Sequence, residues 1–324
     1  MRFGIRTLPA LAVTGLVAAA CGAVAPGTPA PTASATAAPT QSPAVTATIS
    51  TATTPSAPAG DPTRDRPYDV FVPTTYKASV PMPLVMLLHG FSLSSAQMEA
   101  IIKLQPVAEE RGFVYVHPDG TRDAAGDPFW NATDACCNTF NAPVDDSAYL
   151  EAVIKQVQAT YNIDPKRIYL VGVSNGGFMA YRMACDHADT IAAIVSFAGA
   201  TFLDSTRCTP SQPVSVLEVH GTADEIVPYD GGELIAGHPF ASAATTVADW
   251  ATYNRCGPDR APTGVRLDVD AALPGDDTDV SRFDGCPAGG TVELWTVEGG
   301  THMLPFTSAF TPSVVEFLFA HPKS

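Results

Sequence analysis

A chain of 324 residues, 46% of them hydrophobic, is long enough to bury one large core or two modest ones. Its formal charge of −15 repels nucleic acid and anionic membrane surfaces, which excludes functions that depend on a basic face. Only 16% of the residues are charged, short of the usual quarter, so apolar mass for a core is ample.

The chain opens with Arg2 and Arg6 before the apolar run "LPALAVTGLVAAA", followed by Cys21 and Gly22. A charged start, a short apolar middle and a small-residue end are the layout of an export signal over residues 1–20, too short and Ala-rich for a membrane span. A cysteine directly after "AAA" resembles the lipobox of bacterial lipoproteins, where the Cys21 thiol is acylated and becomes the first mature residue; Ala18 stands where that motif usually has Leu. Anchoring to the cell membrane through a lipid on Cys21 and plain secretion both stay open. Residues 21–60 are almost wholly Ala, Thr, Pro and Ser without a charge, and lack the apolar mass to offset the entropy of folding. They read as a flexible linker. Loss of the two N-terminal arginines would leave 16 basic against 33 acidic residues, a net charge of −17.

Residues 61–324 alternate strand-length apolar runs with helical patterns. The runs 68–72, 83–90, 112–118, 167–173, 191–199, 214–221 and 291–299 are predicted strands. Helices are predicted between them, among them one from Asp145, whose carboxylate caps exposed amides, and one over "ATTVADWATYNR". Continuous Val, Ile and Leu, rather than alternation, marks strands covered on both faces. The expected fold is therefore α/β, a mostly parallel doubly wound sheet, with ligands beyond the carboxyl ends of the strands. No apolar insertion large enough for a lid separates the strands near 198 and 214, so an open cleft is expected.

Gly172-Val173-Ser174-Asn175-Gly176 spells G-x-S-x-G between a predicted strand and a predicted helix, the context of a nucleophile elbow. Such a turn holds its serine in a strained backbone, tolerable where neighbouring positions lack side chains, as Gly172, Gly176 and Gly177 do. A serine hydroxyl needs a base within hydrogen-bond reach. His302, in the glycine-containing loop "VEGGTHMLP", is the best of seven histidines; His89 and His220 end strands, His117 sits in a turn, and His187, His238 and His321 lie among polar residues. The imidazole needs an orienting carboxylate. Asp224, in "HGTADEIVPYDGG", is the first choice, with Asp230 and then Glu225 behind it. The order Ser174, Asp224, His302 is that of α/β-hydrolases. Backbone N–H groups of Asn175 and of Phe91, in "LLHGFSLSS", are the expected oxyanion donors. Trp130, Tyr229 and Phe91 are candidates for the substrate pocket.

The motifs "LLHG", "WNATDACC" with "VDDSAYL", "IDPKRIYLVGVSNGGFMAYRMAC", "VHGTADEIVPYDGG" and "LWTVEGGTHMLP" stand in order over about residues 65–320. With them the chain resembles the secreted polyhydroxybutyrate depolymerase and feruloyl esterase group of α/β-hydrolases, including lipoprotein members. The resemblance implies a carboxylic ester hydrolase without metal or cofactor, working through Ser174, Asp224 and His302 on hydroxybutyrate-type polyesters or on feruloyl or acetyl esters of polysaccharides. Where members often have "GGGHTWPG", this chain has "GGTHMLPF", which changes the wall beside His302 through Met303 and Leu304. A serine peptidase of the same fold and a surface binding protein on a hydrolase scaffold are the alternatives; an intact Ser-Asp-His order argues against the second.

Beyond Cys21, six cysteines remain: Cys136, Cys137, Cys185, Cys208, Cys256 and Cys286. An even number in an exported chain favours disulfides, and no pair has C-x-x-C spacing. Cys256 with Cys286 is the preferred pair, and three connectivities stay open for the other four, a vicinal bridge among them. The acidic stretch "DVDAALPGDDTDV" lacks EF-hand spacing and reads as a solvated hairpin. The expected partner is an ester substrate, polymeric or small, met by a monomer with no nucleic-acid contact and no membrane contact beyond a lipid anchor.

Overall fold

The apolar runs of the sequence become the middle of a nine-stranded sheet. The structure, a computed structural model, describes residues 61–64 and 66–324. The expected signal segment (1–20), Cys21 and the linker (21–60) lie outside the described residues.

In chain order the elements are β1 (Tyr68–Phe71), β2 (Met82–Leu88), α1 (Ser95–Ile102), α2 (Leu104–Arg111), β3 (Val114–Pro118), β4 (Thr121–Arg122), β5 (Pro128–Phe129), α3 (Asp146–Thr160), β6 (Ile163–Val173) and α4 (Asn175–Asp186). Then come β7 (Ala193–Phe197), a 3-10 turn (Ser205–Arg207), β8 (Ser215–Gly221), β9 (Gly232–Ile235), β10 (His238–Phe240), α5 (Ala243–Tyr253), β11 (Arg260–Leu267), β12 (Thr278–Phe283), β13 (Val292–Val297) and α6 (Phe310–Ala320). The sheet runs β1-β3-β2-β6-β7-β8-β13-β12-β11. Its six inner strands from β3 to β13 are parallel, and β1, β12 and β11 pair antiparallel at the edges.

Side chains of one strand alternate between two cores. In β2, Leu84, Met86 and Leu88 pack with α3, α4 and α5, while Val85 and Leu87 pack with α1, α2 and α6. This is the doubly wound arrangement expected from continuous apolar runs. The helix predicted from Asp145 is α3, where the Asp145 carboxylate accepts from the Ala148 N–H at 3.0 Å.

One expectation is corrected. The acidic stretch does connect a hairpin, β11 to β12, but it is not solvated throughout. Asp277 is buried and accepts from the Val269 and Asp270 N–H groups at 3.1 and 2.8 Å. The carboxylate serves as an internal cap for a loop whose own backbone leaves those amides unpaired. β11 itself has no apolar run, because it is an exposed edge strand.

Candidate active site

Strand β6 ends at Val173, and α4 begins one residue after Ser174. Ser174 sits at φ 54° and ψ −120°, a region that side chains rarely adopt. Two glycines allow the bend. A Cβ on Gly172 would collide with the Gly176 carbonyl oxygen, and one on Gly176 would collide with that of Leu88. The Ser174 N–H donates to the Phe197 carbonyl at 2.7 Å, tying the elbow to the end of β7.

Two loops on neighbouring strands meet the serine. His302, in the loop after β13, places Nε2 3.0 Å from Ser174 Oγ and Nδ1 2.8 Å from Asp224 Oδ2. Asp224, in the loop after β8, has a wholly buried side chain, and its other oxygen accepts from the Ile226 and Val227 N–H groups at 2.9 and 2.8 Å. A carboxylate so held can only accept, so Nδ1 carries the proton and Nε2 is free to accept from Oγ–H. Burial alone would raise the Asp224 pKa, but hydrogen bonds from His220 and His302 outweigh it and hold the group below its usual range. Asp230 and Glu225 are exposed and make no hydrogen bond to His302.

The Phe91 loop passes close to the serine, for a Cβ on Gly90 would lie 3.5 Å from that of Ser174. There the Ser92 and Leu93 N–H groups are taken by the Pro128 and Gly90 carbonyls, whereas the Phe91 N–H has no acceptor among the described residues. The Asn175 N–H belongs to the first turn of α4 and has no intrahelical acceptor. Both expected oxyanion donors are thus unspent.

The Asn175 side chain does something the sequence did not announce. Its Oδ1 accepts from the Trp130 N–H at 2.7 Å, and its Nδ2 donates to the Trp130 carbonyl at 3.0 Å. Trp130 is fully buried, with Nε1 donating to the His89 carbonyl at 3.0 Å, so it lines no pocket; it pins the 128–137 loop beneath the elbow. Tyr229 likewise turns away, its hydroxyl 3.0 Å from Thr296 Oγ1 and its ring edge-on to His220. The expectation for Trp130 is corrected, because its polar partner lies behind the site; Tyr229, half-buried, is not among the residues that wall the two clefts at Ser174. Asn175→Ala keeps the backbone donor but orphans two buried backbone groups. It should lower unfolding free energy by roughly 2–4 kcal/mol, read from the urea midpoint and slope.

Ser174 lies between two clefts that share Phe91 and Ile226 as a divide. The larger, about 580 Å³, is walled by Leu93, Met98, Ile101 and Met303. The smaller, about 220 Å³, is walled by Cys137, Thr139, Leu234 and Ile235. Phe91, Ile226 and Met303 are 37%, 59% and 42% exposed, so the divide and one wall reach the surface. Leu304 turns into the core. The walls from the β9–β10 hairpin and from Cys137 were not among the residues expected at the site. The cysteines pair as Cys136–Cys137, Cys185–Cys208 and Cys256–Cys286. Among the connectivities left open for the first four, the structure takes the vicinal one.

Residues 67–229, half of the chain, match the family described as Esterase PHB depolymerase. Feruloyl esterase B of Piromyces equi is 29% identical over 237 residues, which cover 71% of this chain and 41% of that protein. The putative esterase NocK of Nocardia uniformis subsp. tsuyamanensis is 29% identical over 241 residues, covering 72% of this chain and 69% of that one. The chain thus matches less than half the length of the first relative and about two thirds of the second. Among solved structures, an acetyl xylan esterase from Aspergillus awamori aligns with a TM-score of 0.55 at 14% identity, over 80% of this chain and 96% of that one. A thermostable esterase aligns at 0.53 and 17% identity, over 80% and 60%. At such identities the likeness speaks for the fold, an α/β-hydrolase sheet.

Proposed function

This chain belongs to the esterase family described as Esterase PHB depolymerase, and from that premise we propose that it is a serine hydrolase of carboxylic esters. Ser174 Oγ attacks the ester carbonyl carbon while its proton passes to His302 Nε2. The oxyanion is met by the Phe91 and Asn175 N–H groups. As the C–O bond breaks, the leaving alcohol takes the proton from His302. Water then attacks the acyl-serine, gives its proton to the same nitrogen, and the carboxylic acid departs as Ser174 regains its hydrogen. Asp224 stabilises the imidazolium that forms twice in the cycle.

The observation that carries this reading is the continuous chain of contacts from Ser174 Oγ through His302 to Asp224, at 3.0 and 2.8 Å. A protein retained only for binding has no need of that alignment, nor of strain at Ser174. Two clefts meeting at one hydroxyl suit an ester, with one group on each side of the scissile bond. Their apolar walls and exposed rim suit feruloyl or acetyl esters on polysaccharide, or hydroxybutyrate-type polyester, all of which stay partly outside the protein. The reading includes export, either as a freely secreted protein or as one attached to the membrane by a lipid on Cys21; among the described residues no helix is long and apolar enough to cross a membrane.

A fluorophosphonate probe should label Ser174, with the modified peptide identified by mass spectrometry. Methyl ferulate, acetylated xylan and hydroxybutyrate oligomers should then compete with labelling in the order in which they are hydrolysed. A full-length protein that takes no label and turns over none of the three is not an esterase.

A further inference from the structure

Strand β8 carries two titratable residues in an otherwise apolar run, Glu218 and His220, and the mechanism above uses neither. Spaced by two, they project from the same face of the strand, and both are fully buried. Burying a carboxylate and an imidazole side by side costs stability unless each is satisfied, and here each is. His220 Nε2 lies 2.8 Å from the Val227 carbonyl, and Nδ1 lies 3.1 Å from Glu218 Oε1. Glu218 Oε1 also accepts from the Gly199 N–H at 3.2 Å, and Oε2 accepts from the Tyr181 hydroxyl at 2.9 Å. A carbonyl can only accept, and so can a carboxylate already receiving two other donors. Burial raises the Glu218 pKa, while its hydrogen bonds with His220 and Tyr181 favour the ionised form; with Glu218 ionised, both ring nitrogens of His220 act as donors, which only the imidazolium can do.

This imidazolium lies against the carboxylate that orients the base. His220 Nε2 is 3.5 Å from Asp224 Oδ2, the oxygen that receives the His302 proton. The polar groups around His220 are Glu218 on its own strand, Asp224 and the Val227 carbonyl on the following loop, Tyr229 at its ring edge, Tyr181 of α4 through Glu218, and His302 beyond Asp224. Resting on the triad reading above, we propose that His220 is a positioning residue: held as a cation by Glu218, it fixes the Asp224 carboxylate from behind so that His302 meets Ser174 in register. Glu218 and Asp224 then bring two negative charges, His220 brings one positive, and the imidazolium formed on His302 during reaction completes neutrality in a buried cluster. Burial works against charge on His220, but its hydrogen bonds to Asp224 and Glu218 prevail and raise its pKa to about 9.

The direct test uses the wild-type chain labelled with 15N-histidine. At pH 7 both His220 ring nitrogens should show protonated shifts; one unprotonated nitrogen overturns the proposal, whatever the esterase does. Next, His220→Gln should lower kcat per fluorophosphonate-labelled site by about tenfold to a hundredfold, with KM changed less than about twofold. Removing a cation beside two carboxylates favours protonated His302, so the acid limb of the kcat profile should move up by about half a pH unit or more. A lower melting temperature with an unmoved acid limb and wild-type kcat per labelled site would mean a purely structural histidine and overturn the proposal. If the variant does not fold, the 15N result decides. Absence of label at Ser174 in the wild-type chain would instead count against the esterase reading, so the two failures are distinguishable.

Discussion

Ser174→Ala should abolish turnover of a chromogenic short-chain ester, with kcat falling by about 10⁶-fold. The size follows from what is lost. Without Oγ, no acyl-enzyme forms, His302 has no proton to accept from a positioned nucleophile, and any remaining rate comes from water meeting a substrate polarised by the Phe91 and Asn175 amides. Substrate binding should persist, because the walls of both clefts are untouched and KM carries little of the Oγ contact. The fold should persist too. The variant keeps the backbone N–H that donates to the Phe197 carbonyl, and a methyl side chain strains the φ 54° position no more than serine does. Burst kinetics make the check sharper than steady state: wild type should release one equivalent of alcohol ahead of the steady rate, and the variant none. Equal turnover by the two proteins would end the acyl-enzyme account.

Asp224→Asn should lower kcat by about 10⁴-fold with the backbone unmoved. One side-chain oxygen can still receive the Ile226 and Val227 N–H groups. The amide NH₂ must then face His302 Nδ1, which can meet a donor only by giving up its own proton. The imidazole is left with its hydrogen on Nε2, aimed at a hydroxyl it should be deprotonating. That same NH₂ confronts His220 Nε2, which already donates to the Val227 carbonyl, so donor meets donor on a second side. The effect should far exceed that of Asp230→Asn or Glu225→Gln, each expected to stay within about twofold of wild type because both side chains are exposed and neither is hydrogen-bonded to the imidazole. Comparable losses at Asp230 would reassign the orienting carboxylate.

The inner strands were legible because burial on both faces leaves an unbroken apolar run, and its strand length and flanking turn residues separate it from a buried helix. Ser174 was legible because the glycines around it interrupt an apolar run and a helical pattern, and only a close approach of backbone to backbone calls for them there. β11 left no such mark: it is exposed, carries Pro262 and Gly264, and owes its place to pairing with β12 rather than to its own composition. The misreading of Trp130 has a physical cause. A Trp or Tyr near a loop has one large apolar body and one polar tip, and which of them faces a cleft depends on where a partner carbonyl or hydroxyl lies. For Trp130 that partner is the His89 carbonyl, 41 residues away. The cleft walls from Ile226, Leu234 and Ile235 depend on the course of the hairpin after β8, which local sequence does not specify. Glu218 is a different case, because its signal was present and went unread: a lone carboxylate inside "VSVLEVHG" interrupts an apolar run, and burial there requires polar partners.

The register of β13 on β8, with Val297 opposite Gly221, governs when the protein acquires its chemistry. Nucleophile and base stand 128 positions apart along the chain, and only this long-range pairing brings His302 over the bend. A polypeptide synthesised from its amino terminus would carry an inert alcohol through most of its assembly. Recovery of hydrolysis after dilution from denaturant would accordingly lag behind recovery of ellipticity, making ester cleavage a gauge of the last tertiary docking.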